Sequence, residues 1–234
     1  MQLLYQNDNY RVRLFKATNA AFCLVKFDYF DPTKKGFQEP NSVSFFSDKL
    51  NVDTLYFEAR QNDWYQSAGI EEALEFTESY LEKRRVVTFG GSMAGYAAIA
   101  FSGKLNAQCF IAAAPQFSLH REFVNAISET RWPFMYEKFS YDFIRTRYFE
   151  FSKGLLFYDN SNDLERKHVE AIADFVDCET ILVPGSNHFP WKKMKDAGIK
   201  ITEIISEVLD NVEKPNGLRR ATSKINQRYS KGMK

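Results

Sequence analysis

Between residues 42 and 211 short, apolar, strand-like runs alternate with amphipathic helical ones, and few architectures accept that order. Strands are expected at Thr54–Ala59, Arg85–Phe89, Ala107–Pro115, Gly154–Asp159 and Thr180–Val183, and helices at Ser42–Leu50, Gly69–Lys83, Met93–Ser102, Asp163–Phe175 and Trp191–Asn211. The Gly69–Lys83 helix shows the pattern best: Ile70, Ala73, Leu74, Thr77 and Leu81 share one stripe, and Glu71, Glu75, Glu78 and Glu82 face away from it. Short apolar strands joined by such helices build a mainly parallel sheet with helices on both faces. Tyr10–Lys16 and Phe22–Phe27 read as an antiparallel hairpin at its edge, with a shorter run at Leu3–Tyr5 ahead of them. A sheet of this kind binds ligands at the carboxyl ends of its strands, so the loops that follow the strands are the candidates for function.

A chain of 234 residues with 44% hydrophobic composition can bury a sizeable core, and residues 1–213 read as one domain. The net charge of +1 gives no reason to expect nucleic acid. The charge is uneven, however: residues 214–234 hold seven basic side chains and no acidic one, leaving 24 basic against 30 acidic before them. This basic tail reads as a solvated terminus, with an anionic polymer, a lipid surface or an acidic partner as the alternative. Cys23, Cys109 and Cys178 form no CxxC pair, and two of them lie in apolar runs, so a reduced cytoplasmic protein without disulfide or metal site is expected. The N-terminus lacks the apolar core of a signal peptide, and no apolar stretch is long enough to span a membrane.

The stretch VVTFGGSMAGYAAIAFSG, residues 86–103, is a strand that ends in two glycines, a serine, and then a helix of small residues. Such a sharp turn lifts one side chain above the sheet edge, and its crowded backbone needs small residues two before and two after the tip. Gly90 and Ala94 stand at those places around Ser92. The following helix points its N-terminus at the serine, so the N–H of Met93 can hold an oxyanion. A phosphate-binding loop is the competing reading, but the lysine of a P-loop is missing. The motif is the nucleophile elbow Gly-x-Ser-x-Gly with alanine in the last place, and here the chain resembles the α/β-hydrolase superfamily over roughly Tyr10–Asn211.

That resemblance implies a serine nucleophile, an acid and a histidine, in that order, on loops after successive strands. His188, in ILVPGSNHFPW, stands where the superfamily places its histidine. His120 and His168 read as structural or solvated. For the acid, Asp163 fits a carboxylate a few residues past its strand, with Asp159 at the strand end as the alternative. The superfamily's second oxyanion donor comes from the loop after an early strand; the HGGG-type glycines are absent there, and the N–H of Tyr29 is assigned to the role.

Two segments are expected to overhang Ser92. Asn62, Asp63, Trp64 and Tyr65 mix hydrogen-bonding groups with stacking faces and are assigned to substrate binding. Residues 117–153 hold many aromatics interleaved with Arg121, Arg131, Lys138, Arg145 and Arg147, at the position of the superfamily's lid insertion, and most of the aromatics read as lid core. The Gly-Ser-Met-Ala-Gly-Tyr-Ala-Ala run and the Asn-Asp-Trp-Tyr segment also resemble a bacterial group of α/β-hydrolase proteins tied to surface polysaccharides, which includes capsule O-acetyltransferases. The expected chemistry is acyl transfer through an acyl-serine. With water as acceptor the chain is an esterase or deacylase, on a small acyl ester or an acylated glycan, without cofactor. With a sugar hydroxyl as acceptor it is an O-acetyltransferase using acetyl-CoA. A catalytically inactive binding module of the same fold is the third reading.

Overall fold

The computed structural model describes residues 1–39, 44–146 and 153–232. Among them, eight strands form one sheet: β1 (Gln2–Gln6), β2 (Tyr10–Phe15), β3 (Phe22–Phe27), β4 (Asp53–Ala59), β5 (Arg85–Gly91), β6 (Ala107–Ala113), β7 (Gly154–Tyr158) and β8 (Cys178–Leu182). Their spatial order is β1-β2-β4-β3-β5-β6-β7-β8, antiparallel at the β1–β2 and β2–β4 pairings and parallel thereafter.

The N-terminal hairpin exists, but with different partners from those the sequence suggested. β1 pairs with β2, and Asn7 closes their turn by accepting from the N–H groups of Asn9 and Tyr10 at 3.0 and 2.7 Å. β2 then lies against β4, while β3 crosses to run parallel between β4 and β5. The reason is burial. Cys23, Leu24 and Val25 are consecutive and all buried, as a strand covered on both faces requires.

Successive side chains of the central strands go to opposite cores. Val86, Phe110 and Leu156 join one, and Val87, Ile111 and Leu155 join the other. Helices α2 (Ile70–Leu81), α3 (Met93–Ala100) and α5 (Asp163–Ala173) cover the first face. Helices α1 (Ser44–Leu50), α7 (Ile201–Leu209) and α8 (Gly217–Gly232) cover the second. The single helix expected over 191–211 is two, α6 (Pro190–Asp196) and α7, separated at Gly198, whose φ of 81° only glycine adopts readily. The expected start of α1 at residue 42 lies outside the described residues.

The segment expected to form a lid carries α4 (Arg121–Ile127) and one 3₁₀ turn at Pro133–Met135. Its Trp132, Met135, Phe139, Phe143 and Ile144 are buried, Trp132 against Trp64 and Phe139 against Tyr96. Arg147, Tyr148 and Phe149 lie outside the described residues.

The basic tail is not a free terminus. Residues 217–232 form α8, whose Leu218, Ala221, Thr222, Ile225 and Tyr229 are buried on one stripe. Lys224 and Arg228 flank that stripe and pair with Glu207 of α7 at 2.7 and 3.1 Å. Two of the seven charges that set the tail apart thus serve to dock it. Ile225→Ala should therefore lower stability in urea unfolding by about 2–4 kcal/mol, as a buried large-to-small change does. Arg219→Ala, which breaks only an exposed pair with Glu179, should cost less than about 1 kcal/mol. Equal, negligible effects would mean an undocked tail.

Candidate active site

The turn between β5 and α3 is tight enough that its residues are dictated by contact. A Cβ on Gly90 would lie 2.2 Å from the carbonyl oxygen of Ala94, inside any real contact distance. Ser92 takes φ 54° and ψ −125°, a strained conformation for a residue with a side chain. Its N–H donates to the Ala113 carbonyl at 2.8 Å and its carbonyl accepts from Tyr96 N–H at 2.9 Å, so both the sheet and α3 hold it in place. The hydroxyl is left to point away from both.

Ser92 Oγ lies 2.8 Å from His188 Nε2, and His188 Nδ1 lies 2.8 Å from Glu165 Oε1. The serine and histidine singled out in the sequence therefore meet, but neither proposed aspartate completes the set. Asp163 is the first residue of α5 and faces outward, where it pairs with Arg166 and Lys167. Asp159 is buried, and accepts from Ser161 N–H at 2.9 Å and from Asn187 N–H at 2.7 Å. It braces the loop that carries His188 without touching the ring.

Helix geometry explains the exchange. Asn162 caps α5 by accepting from the N–H groups of Leu164 and Glu165, which fixes the phase of the helix. Glu165, His168, Val169 and Ile172 are then the buried face, at the i, i+3, i+4, i+7 spacing. Asp163, two positions before Glu165, falls on the opposite side. The signal that pointed to Glu165 was a carboxylate standing on an otherwise inward-facing stripe.

Behind Glu165 sits a chain of buried charge. Arg131 bonds both Glu165 and Glu129, and its guanidinium also lies 3.4 Å from His188 Nδ1. His168 Nδ1 accepts from Phe117 N–H at 3.0 Å, and its Nε2 then donates to Glu129 at 3.2 Å. Burial would raise the Glu129 carboxyl, but the bonds from His168 and Arg131, with the Arg131 charge, hold it well below the usual carboxylate range. Burial in turn keeps His168 below its ordinary value, outweighing the pull of Glu129, and burial of Arg131 is outweighed by its two carboxylates.

Of the two expected oxyanion donors, Met93 is the first residue of α3, where the N–H has no intrahelical carbonyl to serve. Tyr29 lies on the loop after β3 and lines the same cavity as Ser92. That loop is anchored on both sides of Tyr29: Asp28 N–H donates to the Phe57 carbonyl at 3.0 Å, and Asp31 N–H to Asn62 Oδ1 at 3.0 Å.

This anchoring corrects the expected substrate-binding segment, because none of its four residues lines the cavity. Asn62 clamps Asp31 through both its amide groups. Asp63 turns back on Tyr65 N–H and Ser67. Trp64 and Tyr65 are fully buried. The indole donates to Gln116 at 3.0 Å, and the phenol meets both backbone groups of Asp28. Their aromatic faces are used up on Trp132, Phe27 and Phe101. They form the wall behind the loop that carries Tyr29.

The cavity over Ser92 measures about 900 Å³. Phe30, Trp132, Phe189 and Trp191 give it aromatic walls, and Lys26, Arg131 and Lys192 also line it.

The sheet order, the elbow and the strand-end position of the site are those of the α/β-hydrolase fold. No family model and no curated protein matches the sequence. Solved structures do. The capsule O-acetyltransferase of Neisseria meningitidis serogroup A superposes with a TM-score of 0.59 at 12% identity, covering 97% of this chain and 92% of that one. Acetyl xylan esterase 1 from Thermoanaerobacterium sp. gives 0.54 at 10% identity, covering 81% and 77%. A glycosylation-associated protein complex from Streptococcus agalactiae gives 0.65 at 14% identity, covering 86% of this chain but 44% of that one. At such identities the likeness establishes the fold.

Replacing Arg131 by Gln should leave two buried carboxylates without their shared cation and cost roughly 3 kcal/mol at neutral pH. Glu129, held low in the folded state, contributes stability that is complete above its unfolded value of about 4.5 and is lost as pH falls through its depressed folded value. The variant lacks part of that contribution. Its deficit in urea unfolding should therefore shrink as pH falls from 7 towards 3, because carboxylates left without their cation take up protons before those of the unaltered protein do. A deficit independent of pH would mean that packing, and not charge, is what Arg131 supplies.

Proposed function

We propose that the chain is a serine-dependent acyl-transfer enzyme acting on carboxylic esters. The observation that carries this reading is His188 lying between Ser92 Oγ and Glu165 Oε1, at 2.8 Å from each. In the reaction Ser92 attacks the acyl carbon while His188 Nε2 takes the hydroxyl proton, and Glu165 holds the ring and stabilises its positive charge. Glu129 and Glu165 together exceed the Arg131 charge by one negative unit. That surplus favours the imidazolium formed at this step. The N–H groups of Met93 and of the loop at Tyr29 receive the oxyanion. His188 then returns the proton to the leaving alcohol, and the acyl-serine is released by the same base acting on the acceptor.

Water is the acceptor in the first reading, which makes the chain an esterase or deacylase. The fold shared with an acetyl xylan esterase supports an acylated glycan as its substrate. Transfer to a sugar hydroxyl is the second reading, favoured by the fold shared with a capsule O-acetyltransferase that has been solved in complex with CoA. CoA release from acetyl-CoA, with and without a polysaccharide acceptor, separates the two: transfer requires the acceptor and yields an acetylated glycan.

A fluorophosphonate probe should label the protein, and Ser92→Ala should abolish the label. Glu165→Gln should slow labelling about a thousandfold or more, as loss of the orienting carboxylate does in serine triads. Asp163→Asn should leave it within about twofold, because that side chain faces solvent. The reverse ranking of these two variants would reinstate Asp163.

A further inference from the structure

Of the three cations that line the cavity, two already have carboxylate partners. Arg131 is held between Glu129 and Glu165, and Lys192 pairs with Asp196 at 2.8 Å. Lys26, on β3, is different. Its ammonium lies 4.6 Å from the ring centre of Tyr56 and 5.8 Å from that of Tyr29, and it pairs with no carboxylate among the described residues. The nearby acids are engaged elsewhere. Asp28 accepts from Tyr56 Oη at 2.5 Å and from Lys34, and Glu58 holds Arg11 and Arg13, each at 2.8 Å. No carboxylate is among the described residues that line the cavity.

A part-buried ammonium whose close contacts are aromatic faces, with no carboxylate in ion-pair contact, keeps part of its desolvation cost, and an anion entering the cavity offsets that cost. Burial lowers Lys26 to about 8, with Asp28 and Glu58 pulling it up and Lys34 pushing it down. Arg131 and Lys192 line the other walls but are offset by the carboxylates that hold them. The cavity thus has a cation without a counter-ion in the same chamber as Ser92.

We propose that Lys26 is the anion-recognition residue of this cavity, so that the ester or thioester presented to Ser92 carries a carboxylate or a phosphate. The part of this that concerns Ser92 rests on the function proposed above; the anion site itself does not. Two sources share the chemistry, the phosphates of a coenzyme donor and the carboxylate of an acidic sugar, and binding tells them apart. The Ser92→Ala protein, which cannot turn substrate over, is titrated with CoA and separately with glucuronate, following the fluorescence of the cavity residues Trp132 and Trp191. At least one of the two should bind. Adding Lys26→Gln should weaken that binding about tenfold, and Lys26→Arg should retain it. With lysine the affinity should fall about tenfold between pH 7 and pH 9, as the ammonium loses its proton, and with arginine it should stay level. The pH series is read on binding because turnover would also report His188.

In the otherwise unaltered protein, the ratio of kcat/KM for 4-acetoxybenzoate to that for its methyl ester should drop about tenfold on Lys26→Gln. A Lys26-dependent anion affinity without any esterase activity would sink the ester reading and leave the anion site standing. Absence of binding by either anion, or binding and ester preference both indifferent to residue 26, would overturn the proposal.

Discussion

The contact of Gly90 with Ala94 is the constraint on which the rest of the site depends. Because no side chain intervenes, the end of β5 and the first turn of α3 approach until a Cβ would be 2.2 Å from a carbonyl oxygen. The backbone must then reverse at Ser92 in a strained conformation, and the hydroxyl has nowhere to go but above the sheet edge. The sheet, through Ala113, and α3, through Tyr96, hold it from either side. Strain of about 1–3 kcal/mol at one residue is sustained only where its surroundings over-determine it, and here a parallel strand and a fully buried helix do so.

Around that fixed point the polar groups are arranged in depth. Ser92 and His188 stand at the cavity, Glu165 and Arg131 behind them, and Glu129 and His168 behind those. Each buried charge meets its opposite or a hydrogen bond, which is the condition for keeping carboxylates inside a core. The loop that carries Tyr29 is treated in the same way. Asn62, Trp64 and Tyr65 look like a binding surface by composition, yet Asn62 and Tyr65 bond the backbone of Asp31 and Asp28, the Trp64 indole bonds Gln116, and their rings pack on other rings. The surfaces left for a ligand are largely apolar, with Lys26 as the unmatched charge.

The fold and half of the site were legible in the sequence for the same reason: both depend on local rules. Hydrophobic periodicity places strands and helices, and steric crowding marks Ser92. His188 was found because so few histidines compete for the loop before a late helix. The carboxylate that meets His188 was missed because which residue of α5 faces inward depends on the cap, and Asn162, not Asp163, takes that position. Asn62–Tyr65 misled because composition cannot tell an aromatic that stacks on a ligand from one that stacks on Trp132. The β2–β3 pairing and the tail failed on a longer scale. Sequential strands suggested neighbours where β4 intervenes, and a run of positive charge drew attention from the Leu218, Ala221, Ile225 and Tyr229 stripe beneath it.

Carrying the acid on a helix, and not on the loop before it, has a consequence for how the protein tolerates change. A loop carboxylate can absorb an inserted or deleted residue by rearranging its backbone. Glu165 cannot, because each residue added between the cap at Asn162 and Glu165 would turn its side chain about the axis of α5 by about 100°. One such step would point a neighbour at His188 and bury a different side chain against Arg131. The spacing from the cap to Glu165 is therefore as much a part of the site as its side chains. Variants that differ there in length should lose the contact with His188 together with the packing of α5.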